Sequence, residues 1–466
     1  MYRKMSENLN HANPLATERI GSLIFRFAVP SIIAMLVTGL YNIVDQIFIG
    51  HYVGELGNAA TNIAFPLSSL CTACSLLFGI GGAAAFNLSM GARDTSRAVK
   101  AAANAVSCGL IAGIIIALFS SLYLDPLLVF CGSTKGILPY ARDYTRIIVL
   151  GFPFVILAIS GGHLIRGDGK PGVAMICNLT GAVINTGLDA LFIIVFGWGM
   201  KGAAAATVIG QVAAALIALY HIAHFKTVKL SLKDFIPDGK TVLRISELGM
   251  SQGFNQIAMM IVQIVSNNSF RHYGALSVYG DEIPIAVVGI ATKLAMLYFS
   301  ICIGLTHAMQ PVVSFNYGAR DYIRARKAFS CTRNAGTVVS FITFLLFQFF
   351  PVQIISIFGK GSPLYVDFAV RYIRIFLFCT FINNIQPLTS TFFSAIGKPK
   401  TGLFLSLTRQ ILFLLPMIII LPAIIGINGL LYAGMAADFM AFVVSVIIAF
   451  NEFIKKKWHQ EFAISL

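Results

Sequence analysis

The chain has 466 residues, 57% of them hydrophobic and only 11% charged, with a mean hydropathy of +0.81. A soluble globule of that size needs more polar surface than this composition supplies, so the chain must face lipid. The formal net charge of +15 does not signal a nucleic-acid partner, because the cations stand in short connections between apolar runs.

Apolar windows long enough to span a bilayer, roughly 20 residues or more each, fall near residues 20–50, 58–90, 97–122, 138–165, 171–196 and 201–225. A second set falls near 243–270, 283–316, 327–350, 364–395, 401–425 and 429–452. The first window is too long for a signal-peptide core and is kept as a span. Twelve membrane helices are therefore expected in an all-α membrane protein. The domains are 1–225 (an N-terminal lobe), 226–240 (a linker) and 241–466 (a C-terminal lobe with a basic tail). Most of the 34 Lys and Arg cluster at the two termini and in alternate connections, around residues 93–100, 166–170, 226–244, 320–333 and 398–400. The positive-inside rule then places both termini and these loops in the cytoplasm. Several windows exceed the bilayer thickness and must tilt or bend, with Pro30, Pro66, Pro153, Pro311, Pro387, Pro416 and Pro422 as the expected bend points.

The two sets are copies. Gly91-Ala92-Arg93-Asp94 with Arg97-Ala98 returns as Gly318-Ala319-Arg320-Asp321 with Arg324-Ala325, and Gly169-Lys170-Pro171 returns as Gly397-Lys398-Pro399. Tyr144, Arg146 and Ile147 are echoed by Tyr372, Arg374 and Ile375 at nearly the same offset. Six helices per copy is an even number, so both copies enter the membrane from the same side. The repeats are parallel, a plan used by secondary transporters with a site between two bundles.

A charge inside the bilayer is costly, so each acid within a window is a functional candidate. Asp45 lies towards the outer end of the first window and Asp189 in the fifth; Asn185 and Asp189, four apart, share a helix face with Asn178, and Asn42 shares one with Asp45. Such carboxylates and amides suit either a proton carrier or an oxygen shell for Na⁺, and the residues alone leave both open. Asp438 in the twelfth window is expected to pair with Arg409 in the eleventh at similar depth, a structural ion pair with no counterpart in the first copy, where Gln211 and the Gly181-Ala182 region stand. Lys293 in the eighth window either snorkels to the cytoplasmic edge or faces the central cavity. His163 and His307 are single intramembrane histidines without metal-ligand spacing, and Cys71 and Cys74 have the spacing of a redox or metal pair but no partners nearby, which makes them packing residues. Neither a nucleophile with a base nor a metal-ligand cluster is present, so an enzyme is not expected.

Tyr41-Asn42-Ile43-Val44-Asp45, the paired Gly-Ala-Arg-Asp loops, Arg166-Gly167-Asp168-Gly169-Lys170-Pro171, the Ile184 to Phe192 segment and Ala395-Ile396-Gly397-Lys398-Pro399, in this order, resemble the multidrug and toxic compound extrusion (MATE) family over nearly the whole chain. The resemblance implies two six-helix lobes in a V shape, acting as a monomer in a prokaryotic plasma membrane and exporting amphiphilic, mostly cationic drugs against inward H⁺ or Na⁺ without a cofactor. In the DinF/MepA-like branch it assigns the coupling cation to Asp45, Asn185, Asp189 and Thr207 with a carbonyl near Ala203, and Na⁺ is the metal such a set would hold. The other branch uses acids in the seventh and tenth helices, and none stands between Leu248 and Gly280 or between Phe368 and Ser394. Where relatives carry asparagine before the Arg-Gly-Asp-Gly segment, this chain has Gly162-His163, which would make His163 a substitute titratable group. Tyr41, Gln256, Met259, Met260, Gln263, Met296 and Tyr298 are the expected substrate contacts, a mixture of rings, thioethers and amides suited to promiscuous binding. The second reading is a lipid-linked oligosaccharide flippase of the same wider superfamily.

Overall fold

The computed structural model describes residues 14–225, 227–280, 282–357, 362–455 and 458. Lys226 of the linker and most of the basic tail, Lys456 and Lys457 included, lie outside them. The chain is all-helical, with no strand among the described residues. The first half holds α1 (Ile20–Tyr52), α2 (Glu55–Gly91), α3 (Thr95–Leu122), α4 (Leu138–Gly167), α5 (Pro171–Asp189) and α6 (Gly199–Ala223). The second holds α7 (Gly239–Ala275), α8 (Glu282–Gly318), α9 (Tyr322–Phe349), α10 (Pro363–Phe376), α11 (Ile385–Ala395), α12 (Pro399–Leu407), α13 (Leu415–Ile425) and α14 (Ile427–Phe453). The expected tenth helix is thus split into α10 and α11 around a 3-10 turn, Phe378–Ile382, and the eleventh into α12 and α13 around a π turn, Thr408–Leu414. Nine runs among the described residues are apolar and long enough to cross a membrane by composition. The seventh and ninth windows fall short because polar residues interrupt them, Gln252, Asn255, Gln256 and Gln263 in α7 and Arg333 and Asn334 in α9, and the tenth because α10 and α11 are individually short.

The repeated motifs have repeated geometry, which explains them. Arg93 and Arg320 are the non-glycine residues with positive φ among those described, at 61° and 63°. Each is followed by an aspartate that caps the next helix, Asp94 accepting from the Arg97 amide and Asp321 from the Arg324 amide, both at 3.0 Å. Gly169 and Gly397 hold φ of 84° and 79°, left-handed turns that end one helix before the proline that opens the next. Gly91 and Gly318 have a further task. A Cβ on Gly91 would lie 2.0 Å from the Phe315 carbonyl oxygen, and one on Gly318 would lie 2.2 Å from that of Leu88, so α2 and α8 cross backbone to backbone at the Gly-Ala-Arg-Asp end. Gly81 and Gly249 do the same between α2 and α7, with a Gly249 Cβ 1.8 Å from the Leu77 carbonyl oxygen. Small residues at such crossings are what allow membrane helices to touch.

The halves therefore close on each other at the Gly-Ala-Arg-Asp end. Gln310 donates to the Ile80 carbonyl at 2.9 Å there, and Arg324 to the Glu18 carbonyl at 2.8 Å. Among these contacts the ones nearest the opposite, far end are Gln256 to Ser69 at 3.3 Å and Met296 against Gly39.

The segment joining the halves is clipped to the first. Ser107 donates to the Phe235 carbonyl at 2.6 Å, Asn104 accepts from the Asp238 amide at 2.7 Å, and Thr227 donates to Asp168 at 2.5 Å. Asp238 caps α7 through Thr241, whose hydroxyl and amide hydrogen bonds hold its carboxyl below the ordinary carboxylate range.

α1, α2, α4 and α8 run on through Pro30, Pro66, Pro153 and Pro311. Pro387 and Pro416 stand in the opening turns of α11 and α13, just after the 3-10 and π turns that interrupt the tenth and eleventh runs. The π turns fall at Ala190–Val195, directly after Asp189, and at Thr408–Leu414, which contains Arg409. π turns often mark functional or strained positions, and both of these adjoin a buried charge.

Candidate functional site

The far half of the first six helices gathers acids and oxygens. Gly181 and Gly210 bring α5 and α6 into backbone contact, since a Cβ on Gly210 would meet the Gly181 carbonyl oxygen at 2.6 Å. One turn beyond Gly181 stands Asn185, and one turn before Gly210 stands Thr207. The crossing thus sets the amide against the hydroxyl, and Asn185 Nδ2 donates to Thr207 Oγ1 at 3.2 Å. Another turn along α5 places Asp189, fully buried, and α1 brings the Asp45 carboxyl within hydrogen-bonding reach of it. Ala203 is buried one turn from Thr207 on α6.

The carboxyl and amide oxygens of this cluster face no donor. Asp45 Oδ1, Asn185 Oδ1 and both oxygens of Asp189 are buried without a hydrogen-bond partner. Two facing carboxyl groups with a free amide oxygen beside them need a shared proton or a bound cation, because bare like charges in a dry site repel. The donor set, hard oxygens only, fits a proton or Na⁺ and not a thiophilic metal. No group of three or more His, Cys, Asp or Glu forms a metal cluster among the described residues.

Tyr144 on α4 is the residue that sequence reasoning did not assign to this site. The charges of Asp45 and Asp189 both act on it, as does Tyr41. Its motif was visible as half of a repeated Tyr-x-Arg-Ile, but only geometry separates the copies: Tyr372 stacks on Phe376 at 4.7 Å inside the second half, while Tyr144 turns towards the acids.

The expected substrate contacts divide. Tyr41 is half-buried beside Asp45, Met259 is 45% exposed, and Met260, Gln263 and Met296 are half-buried. Gln256 spans the halves to Ser69, and Gln263 donates to Asn267 at 2.8 Å. Tyr298 stands apart. It is 5% exposed, with its hydroxyl donating to the Thr380 carbonyl at 3.1 Å and sharing a hydrogen bond with Ser340 at 2.8 Å, so it is held within the second bundle.

His163 and His307 are not single. Their rings meet edge to face at 4.7 Å across the two halves, next to the buried Arg166 and towards the Gly-Ala-Arg-Asp end. His163 is therefore packed in the closed junction and away from the acid pair.

Arg409 Nε donates to Asp438 Oδ1 at 2.5 Å, and Asn383 Nδ2 donates to the other carboxyl oxygen at 3.0 Å. The pair is 15% and 2% exposed at its side chains and ties the π turn to α14. Asp438→Asn leaves the guanidinium buried without an anion and is expected to destabilise the protein by about 3–5 kcal/mol. The midpoint of a thermal melt in detergent reads this. Arg409→Met combined with Asp438→Leu is expected to recover most of the loss, and an unchanged melt for the single variant would remove the architectural role.

The model of the MatE family matches residues 30–191 and 253–420, one stretch in each half. The chain belongs to the MatE family. Among curated relatives of this MatE protein, the multidrug export protein MepA of Staphylococcus saprophyticus is 23% identical over 425 residues, covering 91% of this chain and 92% of MepA. MepA of Staphylococcus aureus strain MRSA252 is 23% identical over 434 residues, with the same coverage. Two solved structures share the fold. A transporter of the MOP superfamily from Pyrococcus furiosus, described as having a binding pocket of reversed polarity, superposes with a TM-score of 0.87 at 23% identity, over 96% of this chain and 98% of that one. A MATE protein in complex with MaL6 gives 0.88 at 23% identity, over 95% and 98%. This is a multi-pass membrane protein of a transporter family, with twelve helical runs in two parallel sets of six.

Proposed function

We infer that this MatE protein exports amphiphilic organic compounds, chiefly cations, by antiport against H⁺ or Na⁺, and that Asp45 and Asp189 are the coupling pair. The observation that carries the reading is the cluster of donorless buried oxygens on Asp45, Asn185 and Asp189. An antiporter needs such a site, one whose occupancy by a cation changes the balance between two arrangements of the halves. Residues 1–225 and 241–466 act as the two rocking bodies, with 226–240 as the connection. With the Gly-Ala-Arg-Asp loops and both termini in the cytoplasm, as their charge predicts, the closed junction is the cytoplasmic gate and the cleft opens outward. The membrane is a prokaryotic plasma membrane, and the protein works as a monomer.

Loading of the acid pair from outside favours the arrangement that releases substrate there. Transport of the cation inward then returns the pair to its empty, charged form. The family names of the relatives, multidrug export proteins, support the substrate class. The deep acids of the second half supply no competing site, since Asp438 is neutralised by Arg409. Purified protein in vesicles, loaded with a fluorescent organic cation, is expected to move it under an imposed proton gradient or an imposed Na⁺ gradient. Movement that needs neither gradient would contradict the antiport reading.

A further inference from the structure

α1 and α8 run in opposite directions and share a register. The backbone at Gly304 lies against Ile32, where a Cβ would come within 2.7 Å of the Ile32 Cα, and Met296 and Ser300 lie against Gly39, at 3.1 Å and 3.7 Å from a Cβ placed there. On α8 these positions form one stripe, 296, 300 and 304, and Lys293 continues it one turn towards the far end. On α1 the corresponding step beyond Gly39 reaches Asn42 to Asp45. Lys293 therefore sits on the face of α8 that looks across the cleft, level with Asp45 on the opposite wall.

The lysine is exposed and has no ion-pair or hydrogen-bond partner among the described residues. It is not balanced from its own half. Glu247 pairs with Arg244, Asp321 caps α9, Asp367 accepts from Tyr279 and lies 3.2 Å from Arg371, and Glu452 is held by Lys398 and Lys455. Asp438 belongs to Arg409. Glu282, where α8 begins, stands about 16 Å back along the helix from Lys293, by helical rise. The two halves thus differ at a single depth, with the acid pair buried inside the first and an uncommitted, exposed ammonium on the second.

The geometry points to Lys293 as the specificity residue for the anionic group of the substrate: the cleft selects amphiphiles that carry a carboxylate as well as a cationic centre, and a zwitterion is preferred over the plain cation of the same skeleton. This rests on the export reading above and sharpens its substrate class. A plain cation meets Lys293 as a like charge, whereas a carboxylate on the same skeleton gains a charge-assisted hydrogen bond in a cleft partly screened from water. The thioether and amide groups of Met259, Gln263 and Met296 adapt to the body of the molecule and leave charge to decide.

The test uses one xanthylium dye in two forms, the free acid rhodamine 19, a zwitterion, and its ethyl ester rhodamine 6G, a cation. Binding of both to the purified protein in lipid nanodiscs is followed by fluorescence anisotropy, which does not depend on transport. Wild type is expected to favour the acid. Lys293→Met is expected to reduce the acid-to-ester affinity ratio about tenfold, Lys293→Arg to retain it, and Lys293→Glu to favour the ester. A ratio unchanged by Lys293→Met, or absence of binding of both dyes to wild type, overturns the inference. Loss of gradient-driven movement with the binding ratio intact would instead count against the antiport reading alone.

Discussion

Replacing either carboxylate of the facing pair, as Asp45→Asn or Asp189→Asn, is expected to remove gradient-driven export while leaving the protein folded. The amide keeps the shape and supplies a donor, so the neighbouring acid gains a neutral hydrogen-bond partner and the fold loses an unfavourable contact. What disappears is the change in charge that lets a cation bind and leave. Coupling free energies between two ligands are typically about 1–3 kcal/mol, or about 5–150-fold in affinity, and a transporter without that term equilibrates its substrate instead of pumping it. Efflux in cells expressing each variant should fall at least about tenfold, and exchange of labelled for unlabelled substrate across vesicles without a gradient should persist. Thr207→Ala removes only the hydroxyl that receives the Asn185 amide and should have a smaller effect in the same assay. Full efflux by Asp189→Asn at ordinary expression would show that the pair is packing and nothing more.

Gly249→Val should shift the protein out of the conformation described. Its Cβ would lie 1.8 Å from the Leu77 carbonyl oxygen, and backbone cannot yield as a side-chain tip can. Overpacking against a fixed core costs about 1–3 kcal/mol and often more, enough to change a two-state population about tenfold or beyond. Ser314 reports this well because it is fully buried on α8, near the crossing of Gly318 with α2. In a background without the native cysteines, Ser314→Cys is expected to resist a water-soluble maleimide, and adding Gly249→Val should raise its labelling rate about tenfold. Equal labelling in both would mean that the α2–α7 crossing does not control the junction.

These two expectations depend on different parts of the sequence, and the parts were not equally legible. Hydrophobic length and the repeated Gly-Ala-Arg-Asp and Gly-Lys-Pro motifs announce twelve runs in two sets, because spanning a bilayer and turning at its surface are local demands on composition and φ. The capping aspartates and left-handed arginines then show why those letters recur. Asp45, Asn185 and Asp189 were also accessible as candidates, since intramembrane acids are rare and a four-residue spacing puts Asn185 and Asp189 on one face, whereas Thr207 entered only through the family resemblance.

Relations between distant helices were less accessible. Nothing local marks His163 and His307 as neighbours, or turns Tyr144 to the acids while Tyr372 remains in the core. α1, α2, α4 and α8 stay continuous through their prolines because neighbouring helices can satisfy the carbonyl a proline frees, whereas the π turn at Ala190–Val195 has no letter that announces it. Tyr298 shows the converse. An aromatic ring at the right depth suits a binding cleft by type, yet its hydroxyl is occupied by Ser340 and the Thr380 carbonyl.

Exchange of cation and substrate through the Asp45–Asp189 pair requires that substrate binding release the cation, and that release can be measured directly. Purified protein in weakly buffered detergent solution, carrying a pH indicator in one series and ²²Na⁺ in the other, is titrated with an organic cation that it binds. Wild type is expected to release H⁺ or Na⁺, and the Asp45→Asn/Asp189→Asn double variant to release neither. Release of the same size from that variant, with substrate still bound, would contradict exchange through the pair.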